Sequence, residues 1–206
     1  MRDHLQNPGR REVIRRLALG AGGLVTLPFV GAAHPIQHHL RDADALALAD
    51  ARSQTAEYTP AFLTAHQLET LRLLGERILP GSSKANSAEF IDQLLTVAAD
   101  AEQRAFLRAM SAFEQLALTR FNVPWKHLTG DQQDELLTRA STEKPGAAAR
   151  GAAAPARITI RDQFEQLKGW IVGAYYSSEI GMRELGWTGN VFFSEFPGCT
   201  HADGHH

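Results

Sequence analysis

The sequence holds a single cysteine, Cys199, in 206 residues. One thiol cannot close an internal disulfide, attach a haem through a cysteine pair, or hold an iron–sulfur cluster on four thiolates. An excess of charge of one sign is also missing. Lys and Arg number 21 against 23 Asp and Glu, a formal net charge of -2, which gives no electrostatic footprint for nucleic acid. No apolar–polar alternation marks a strand, and no repeat is visible. The only glycine cluster, Gly20 to Gly23, does not sit between a strand and a helix, where a dinucleotide pyrophosphate would meet backbone donors. No flavin, nicotinamide, haem or metal is therefore expected in this chain. The longest uncharged apolar run, Leu17 to Gly31, is shorter than the roughly 20 residues that cross a bilayer as a helix.

That run is nevertheless informative. Arg2, Arg10, Arg11, Arg15 and Arg16 precede it, against only Asp3 and Glu12, and Gly31-Ala32-Ala33 follows it. A basic region, an apolar region and small residues are the parts of a removable signal. Arg10-Arg11-Glu12-Val13-Ile14-Arg15 fits the twin-arginine pattern of an arginine pair, any residue, two apolar residues and a base. Residues 1–33 are read as a twin-arginine-type signal peptide, with Arg10 and Arg11 as its recognition residues. An ordinary secretory signal with extra arginines is the alternative. Export would place the chain in the periplasm.

Residues 34–60 lack a sustained apolar face and read as an extended or partly ordered arm, with room for a short alanine-rich helix at Ala43 to Ala51. Residues 61–206 read as one helical domain. Thr64 with Gln67 forms a capping box, Leu63 and Leu68 occupy hydrophobic-staple positions, and Leu68, Leu71, Gly75, Ile78 and Leu79 recur at helical spacing up to Pro80-Gly81. A second helix is expected from Asn86 or Ser87 through Leu95. A third runs from Ala101 to Phe121 with Phe106, Met110, Phe113 and Ala117 on its face. Thr129 with Gln132 opens a fourth, and Thr159 caps a last long helix carrying Phe164, Leu167, Ile171 and Tyr175. Residues 142–156, rich in alanine and glycine, read as a low-complexity surface loop. The fold class is all-α, an irregular helical bundle with an aromatic-rich, non-helical C-terminal segment.

Residues with catalytic chemistry are present but scattered. His34, His38 and His39 stand close enough to hold a divalent metal, yet nothing nearby would orient them. His66 and His127 read as exposed polar residues. Glu76, Asp92 and Glu179 fall near apolar helices and could be partly buried, but no two are marked as an acid–base pair. Ser82 and Ser83 have no histidine in a nucleophile context.

The helix end Ile78-Leu79-Pro80-Gly81, the segment Phe90-Ile91-Asp92-Gln93-Leu94-Leu95, and the run Gly173-Ala174-Tyr175-Tyr176-Ser177-Ser178-Glu179-Ile180-Gly181, continuing to Leu185-Gly186-Trp187 and Pro197-Gly198-Cys199, together resemble the small subunit (subunit 3, or gamma) of the gluconate 2-dehydrogenase family. The resemblance covers roughly Phe62 to Cys199. It implies a large FAD-binding dehydrogenase subunit of the glucose–methanol–choline type as partner, and often a membrane-bound cytochrome c subunit carrying haem c. The small subunit would escort the flavoprotein through twin-arginine export and stabilise it, with no catalytic residue of its own. A chaperone that dissociates after export, or an autonomous periplasmic metal-binding protein, are the alternatives.

Seven of the sixteen aromatic residues lie between Trp170 and Phe196. Aromatics are enriched where interfaces gain most of their energy. Tyr176, Trp187, Phe192, Phe193 and Phe196 are therefore expected to contact the large subunit, the alternative being a lid over this domain's own core. In an oxidising compartment Cys199 is either a free thiol or one half of a disulfide to the partner.

Overall fold

The computed structural model describes residues 39, 42–146 and 158–186. Among them the secondary structure is entirely helical, in agreement with the all-α expectation. The elements are α1 (Ala43–Ser53), α2 (Ala65–Ile78), α3 (Ser87–Leu95), α4 (Asp100–Phe121), a 3-10 turn (Trp125–His127), α5 (Gly130–Thr142), α6 (Ile160–Tyr176) and α7 (Glu179–Glu184). No helix among the described residues is long and apolar enough to cross a membrane.

The helix starts are set by side chains that satisfy free backbone donors. Thr64 with Gln67 and Thr129 with Gln132 form capping boxes, as the spacing predicts. Thr159 opens α6, with Asp162 in the reciprocal position. The ends are equally local. Asn122 closes α4 in the left-handed region, at φ 58°, a conformation that asparagine tolerates better than most residues.

Helix α3 is the centre of the domain. Each of its nine residues is buried, and Phe90, Ile91, Leu94 and Leu95 are fully so. A helix that is covered all round must be packed on all sides, and α1, α2 and α6 supply that cover. Helix α6 packs against α4 and α5 as well. The expected face of α4, Phe106, Met110, Phe113 and Ala117, is buried. Two buried tryptophans join the layers edge-on: Trp170 of α6 meets Phe106 with ring centroids 5.7 Å apart, and Trp125 of the 3-10 turn meets Phe113 at 5.6 Å. Edge-to-face pairs of this kind favour the negative ring face meeting the positive edge.

The structure differs from the sequence expectation at residues 42–60. The short alanine-rich helix for which the sequence leaves room at Ala43 to Ala51 is present as α1, but the reading as an extended or partly ordered arm does not give its packing on α3, which buries Leu46 and Ala49. Two buried apolar residues on an alanine-rich helix make too weak a pattern to read as an apolar face, so the packing is not legible in the sequence. His39, expected in the same arm, is also buried, with its ring against Trp170. The 3-10 turn and α7 are further elements that the periodicity did not give, both too short to show a period.

Candidate partner-facing end of the bundle

Three segments, the first far from the other two in sequence, meet where α2 and α6 end. The first is the Pro80-Gly81 turn. Gly81 has φ +95°, and a Cβ there would lie 3.3 Å from the Tyr175 Oη, so both its backbone conformation and the close approach call for glycine. Glu76 holds this turn from within α2. Its Oε1 accepts from the Gly81 N–H at 2.9 Å and its Oε2 from the Ser83 N–H at 3.0 Å.

The second segment is Tyr175-Tyr176, the last turn of α6. Tyr175 is buried, and its phenol is pushed up to about 12 by that burial and by its hydrogen bond to the Glu184 carboxylate. Tyr176 is half-buried and stands edge-on to Tyr175, with centroids 5.1 Å apart. The third is α7, which turns back directly on α6. The Ser178 hydroxyl donates to the Tyr175 carbonyl at 2.5 Å and accepts from the Gly181 N–H at 3.1 Å. A Cβ at position 181 would lie 2.4 Å from the Tyr175 carbonyl oxygen and 2.9 Å from the Tyr176 Cα. Only glycine allows α7 to lie this close. Two aliphatic side chains project from it to solvent, Ile180 and Leu185, the latter 64% exposed.

The carboxylates noted in the sequence serve the chain's own structure. Asp92 is fully buried and accepts four hydrogen bonds: from the Tyr58 hydroxyl at 2.6 Å and from the backbone N–H groups of Ala61, Phe62 and Leu63 at 2.7, 3.1 and 2.6 Å. Gln93 Nε2 donates to the same Tyr58 oxygen at 2.8 Å. Burial and the Asp92 carboxylate both push the Tyr58 phenol above its ordinary value. Glu179 pairs with Arg183 one turn on. His66 and His127 are exposed, as expected.

A groove of about 230 Å³ between α2 and α4 is lined by His66 from α2 and by Ser111 and Glu114 from α4. Glu114 is committed there to structure. It accepts from the Thr70 hydroxyl and the Trp125 N–H, both at 2.9 Å, and its Oε1 lies 3.1 Å from His66 Nε2. Among the described residues, Ser111 makes no hydrogen bond to His66, so the three do not form a nucleophile chain. No group of three or more His, Cys, Asp or Glu placed to hold a metal occurs among the described residues.

The model of the family described as gluconate 2-dehydrogenase subunit 3 matches residues 65–198. The chain belongs to that family. The match opens at the first residue of α2, runs through the Pro80-Gly81 turn, Asp92, Tyr175-Tyr176 and α7, and continues past the described residues into the aromatic segment. A gluconate 2-dehydrogenase subunit 3 is one subunit of a dehydrogenase complex, so partner subunits are implied. No curated protein and no solved structure matches the chain.

Of the residues singled out from sequence, Tyr176 is at the end of the bundle just described. Arg10, Arg11, Trp187, Phe192, Phe193, Phe196 and Cys199, and most of the 142–156 stretch, lie outside the described residues. Gly81, Tyr175, Ser178 and Gly181 were not expected to act together. The one signal that could have found α7 is Ser178 followed directly by Glu179, since a capping serine with an acidic residue in the first turn marks a helix start.

The Glu76 clasp gives a pH test. Its two backbone hydrogen bonds hold its carboxyl below the ordinary glutamate value of 4.5. A depressed value in the folded state means that stability is present above the unfolded value and is lost as the pH falls through the folded one. Glu76→Gln is therefore expected to melt below the wild type at neutral pH, with the gap closing below pH 4.5. A gap that stays constant into acid would show that the charge on Glu76 does not hold the turn.

Proposed function

We propose that the chain is the non-catalytic small subunit of a periplasmic FAD-dependent sugar or polyol dehydrogenase of the gluconate or glucose type, and that it escorts the flavoprotein subunit through twin-arginine export and stabilises it there. The observation that carries this reading is the family match over residues 65–198. The arginine pair Arg10-Arg11 ahead of the apolar run supports the export part. In the same proposal FAD belongs to the large subunit and haem c to a membrane-bound cytochrome c subunit, which would make this chain peripheral to the inner membrane. The described carboxylates are in keeping with such a role, because Glu76, Asp92 and Glu114 are each spent on fastening the chain's own backbone or turns.

Changing both Arg10 and Arg11 to lysine tests the escort. Lysine keeps the charge and loses the planar guanidinium fork. Dehydrogenase activity measured in periplasmic and cytoplasmic fractions should move to the cytoplasm together with this chain. A flavoprotein still exported at the wild-type level would overturn the escort role. Recovery of this chain in the mature periplasmic complex distinguishes a resident subunit from a chaperone that leaves.

A further inference from the structure

Residues of α4, α5 and the start of α6 line a cleft of about 400 Å³. That volume falls in the range of about 300–1,000 Å³ that small-molecule sites occupy. Helical spacing puts the lining side chains there. On α4, Gln115 with Thr119 and Leu116 with Arg120 are pairs four residues apart, so each pair shares a face. On α5 the same spacing sets Arg139 one turn beyond Glu135. Glu135 accepts from the Arg120 Nε at 2.8 Å and so ties α5 to α4 beside the cleft. Helix α6 contributes Ile160 and Gln163.

The charge of this lining is unbalanced. Its two charged side chains are both arginines, and no carboxylate faces them from the lining. Glu135 neutralises Arg120. Asp162, next to Gln163, is committed to the Thr159 N–H and hydroxyl and to the Gly146 N–H. Among the described residues the Arg139 side chain enters no ion pair or hydrogen bond, which leaves one net positive charge. Arg120 spends only its Nε on Glu135, so its two terminal amino groups remain as donors, and its guanidinium carbon stands 5.4 Å from the Phe121 ring centroid. A guanidinium offers donors only, in a planar fork that fits the two oxygens of a carboxylate. The side chains of Gln115, Thr119 and Gln163 make no hydrogen bond among the described residues. Each carries both a donor and an acceptor, which is what a ligand hydroxyl calls for. Leu116 and Ile160, half-buried against the core, add apolar surface for a carbon skeleton.

We propose that this cleft binds a small hydroxylated monocarboxylate of monosaccharide size. Its carboxylate lies between Arg120 and Arg139, and its hydroxyls meet Gln115, Thr119 and Gln163. One negative charge matches the one guanidinium left without a counter-ion. The cleft shares no residue with the end of the bundle formed by Gly81, Tyr175 and α7, and it requires neither export nor a dehydrogenase partner, so it goes beyond the function proposed above.

Titration calorimetry on the purified full chain at low salt tests this. The probe is D-glucuronate, and D-glucose is its match with a hydroxymethyl group in place of the carboxylate. Glucuronate is expected to bind at one site with a Kd below about 1 mM, and glucose to give no measurable binding. Arg139→Gln should weaken glucuronate by about tenfold or more, as expected for losing a charged hydrogen bond. Its circular-dichroism spectrum should be unchanged, because Arg139 is exposed and its side chain fastens nothing else among the described residues. Gln163→Leu should weaken glucuronate severalfold and leave butanoate, a carboxylate without hydroxyls, unaffected. No heat with glucuronate, equal binding of glucose, or an unchanged affinity in Arg139→Gln overturns the site. Equal losses of glucuronate and butanoate in Gln163→Leu, or no loss of either, overturn the hydroxyl contacts. Inorganic phosphate is the competitor. If it displaces glucuronate at an equal or lower concentration, the cleft reads charge alone and the carboxylate assignment is overturned.

Discussion

Replacing Asp92 with alanine is expected to lower the stability of the domain by about 3–5 kcal/mol, because several buried donors lose their acceptor at once and each buried polar group left unpaired costs about 1–3 kcal/mol. The donors are the Tyr58 hydroxyl and the N–H groups of Ala61, Phe62 and Leu63. The Leu63 bond is buried, whereas the others are part-buried and can turn partly to water. That places the total below the sum of four full penalties. For a domain of this size, each kcal/mol corresponds to about 2–4 °C in Tm, so a drop on the order of 10 °C is expected in a thermal melt followed by circular dichroism. Asp92→Asn should fall between the two. Its amide keeps one acceptor oxygen but turns a second donor toward groups that are themselves donors. Hydrogen exchange at residues 61–63 should rise in both variants. Glu143→Ala, on an exposed residue at the end of α5, is the reference and should melt within about 0.5 kcal/mol of wild type. An Asp92→Ala domain that melts with the reference would show that the clasp does not hold residues 58–63.

Asp92 also shows what the sequence could and could not disclose. The run from Phe90 to Leu95 was legible as a helix, and so were the long helices α2, α4 and α6, because α2 and α6 open on a capping threonine, Thr64 and Thr159, and the apolar residues of all three recur at helical spacing. The partner of a buried carboxylate is a different kind of fact. Asp92 finds its donors about thirty residues upstream, and nothing in the local pattern of either segment points to the other. Packing of α1 was hidden for a related reason. Its buried apolar residues, Leu46 and Ala49, lie on a helix that packs on α3, so the evidence for burial lies in another helix. At the end of the bundle the individual motifs were visible and their juxtaposition was not. Leu79-Pro80-Gly81 and Tyr175-Tyr176 lie nearly a hundred residues apart, and a glycine in the turn gives no sign that a tyrosine ring is what it makes room for. Family membership could be read from these motifs in order, since order along the chain is what a sequence records directly.

The largest effect on assembly is expected at Gly181. A methyl group there would sit 2.4 Å from the Tyr175 carbonyl oxygen, and both neighbours it meets are backbone atoms of α6 that no rotamer change can move. Gly181→Ala should therefore displace α7 and, with it, Ile180, Leu185 and the start of the segment that carries Trp187, Phe192, Phe193, Phe196 and Cys199. Helix α7 packs chiefly on α6, so the bundle itself should keep its helical signal and most of its melting temperature. Assembly is a separate quantity. Interface anchors of the size of an aromatic or a large aliphatic residue contribute about 2 kcal/mol or more each, which is roughly 30-fold in affinity. On the proposal that this end meets the flavoprotein subunit, co-purification of that subunit should fall at least tenfold in Gly181→Ala. Leu185→Ser removes exposed apolar surface without any clash, so it should weaken assembly while leaving the isolated domain's melt unchanged. The same preparations report on Cys199. A disulfide to the partner would appear on a non-reducing gel as a band at the summed mass that reductant abolishes, weakened in Gly181→Ala and absent in Cys199→Ser. Separation of the wild-type chains without reductant would show that the contact is non-covalent. Full recovery of the flavoprotein subunit with both Gly181→Ala and Leu185→Ser would place the contact on another face of the bundle.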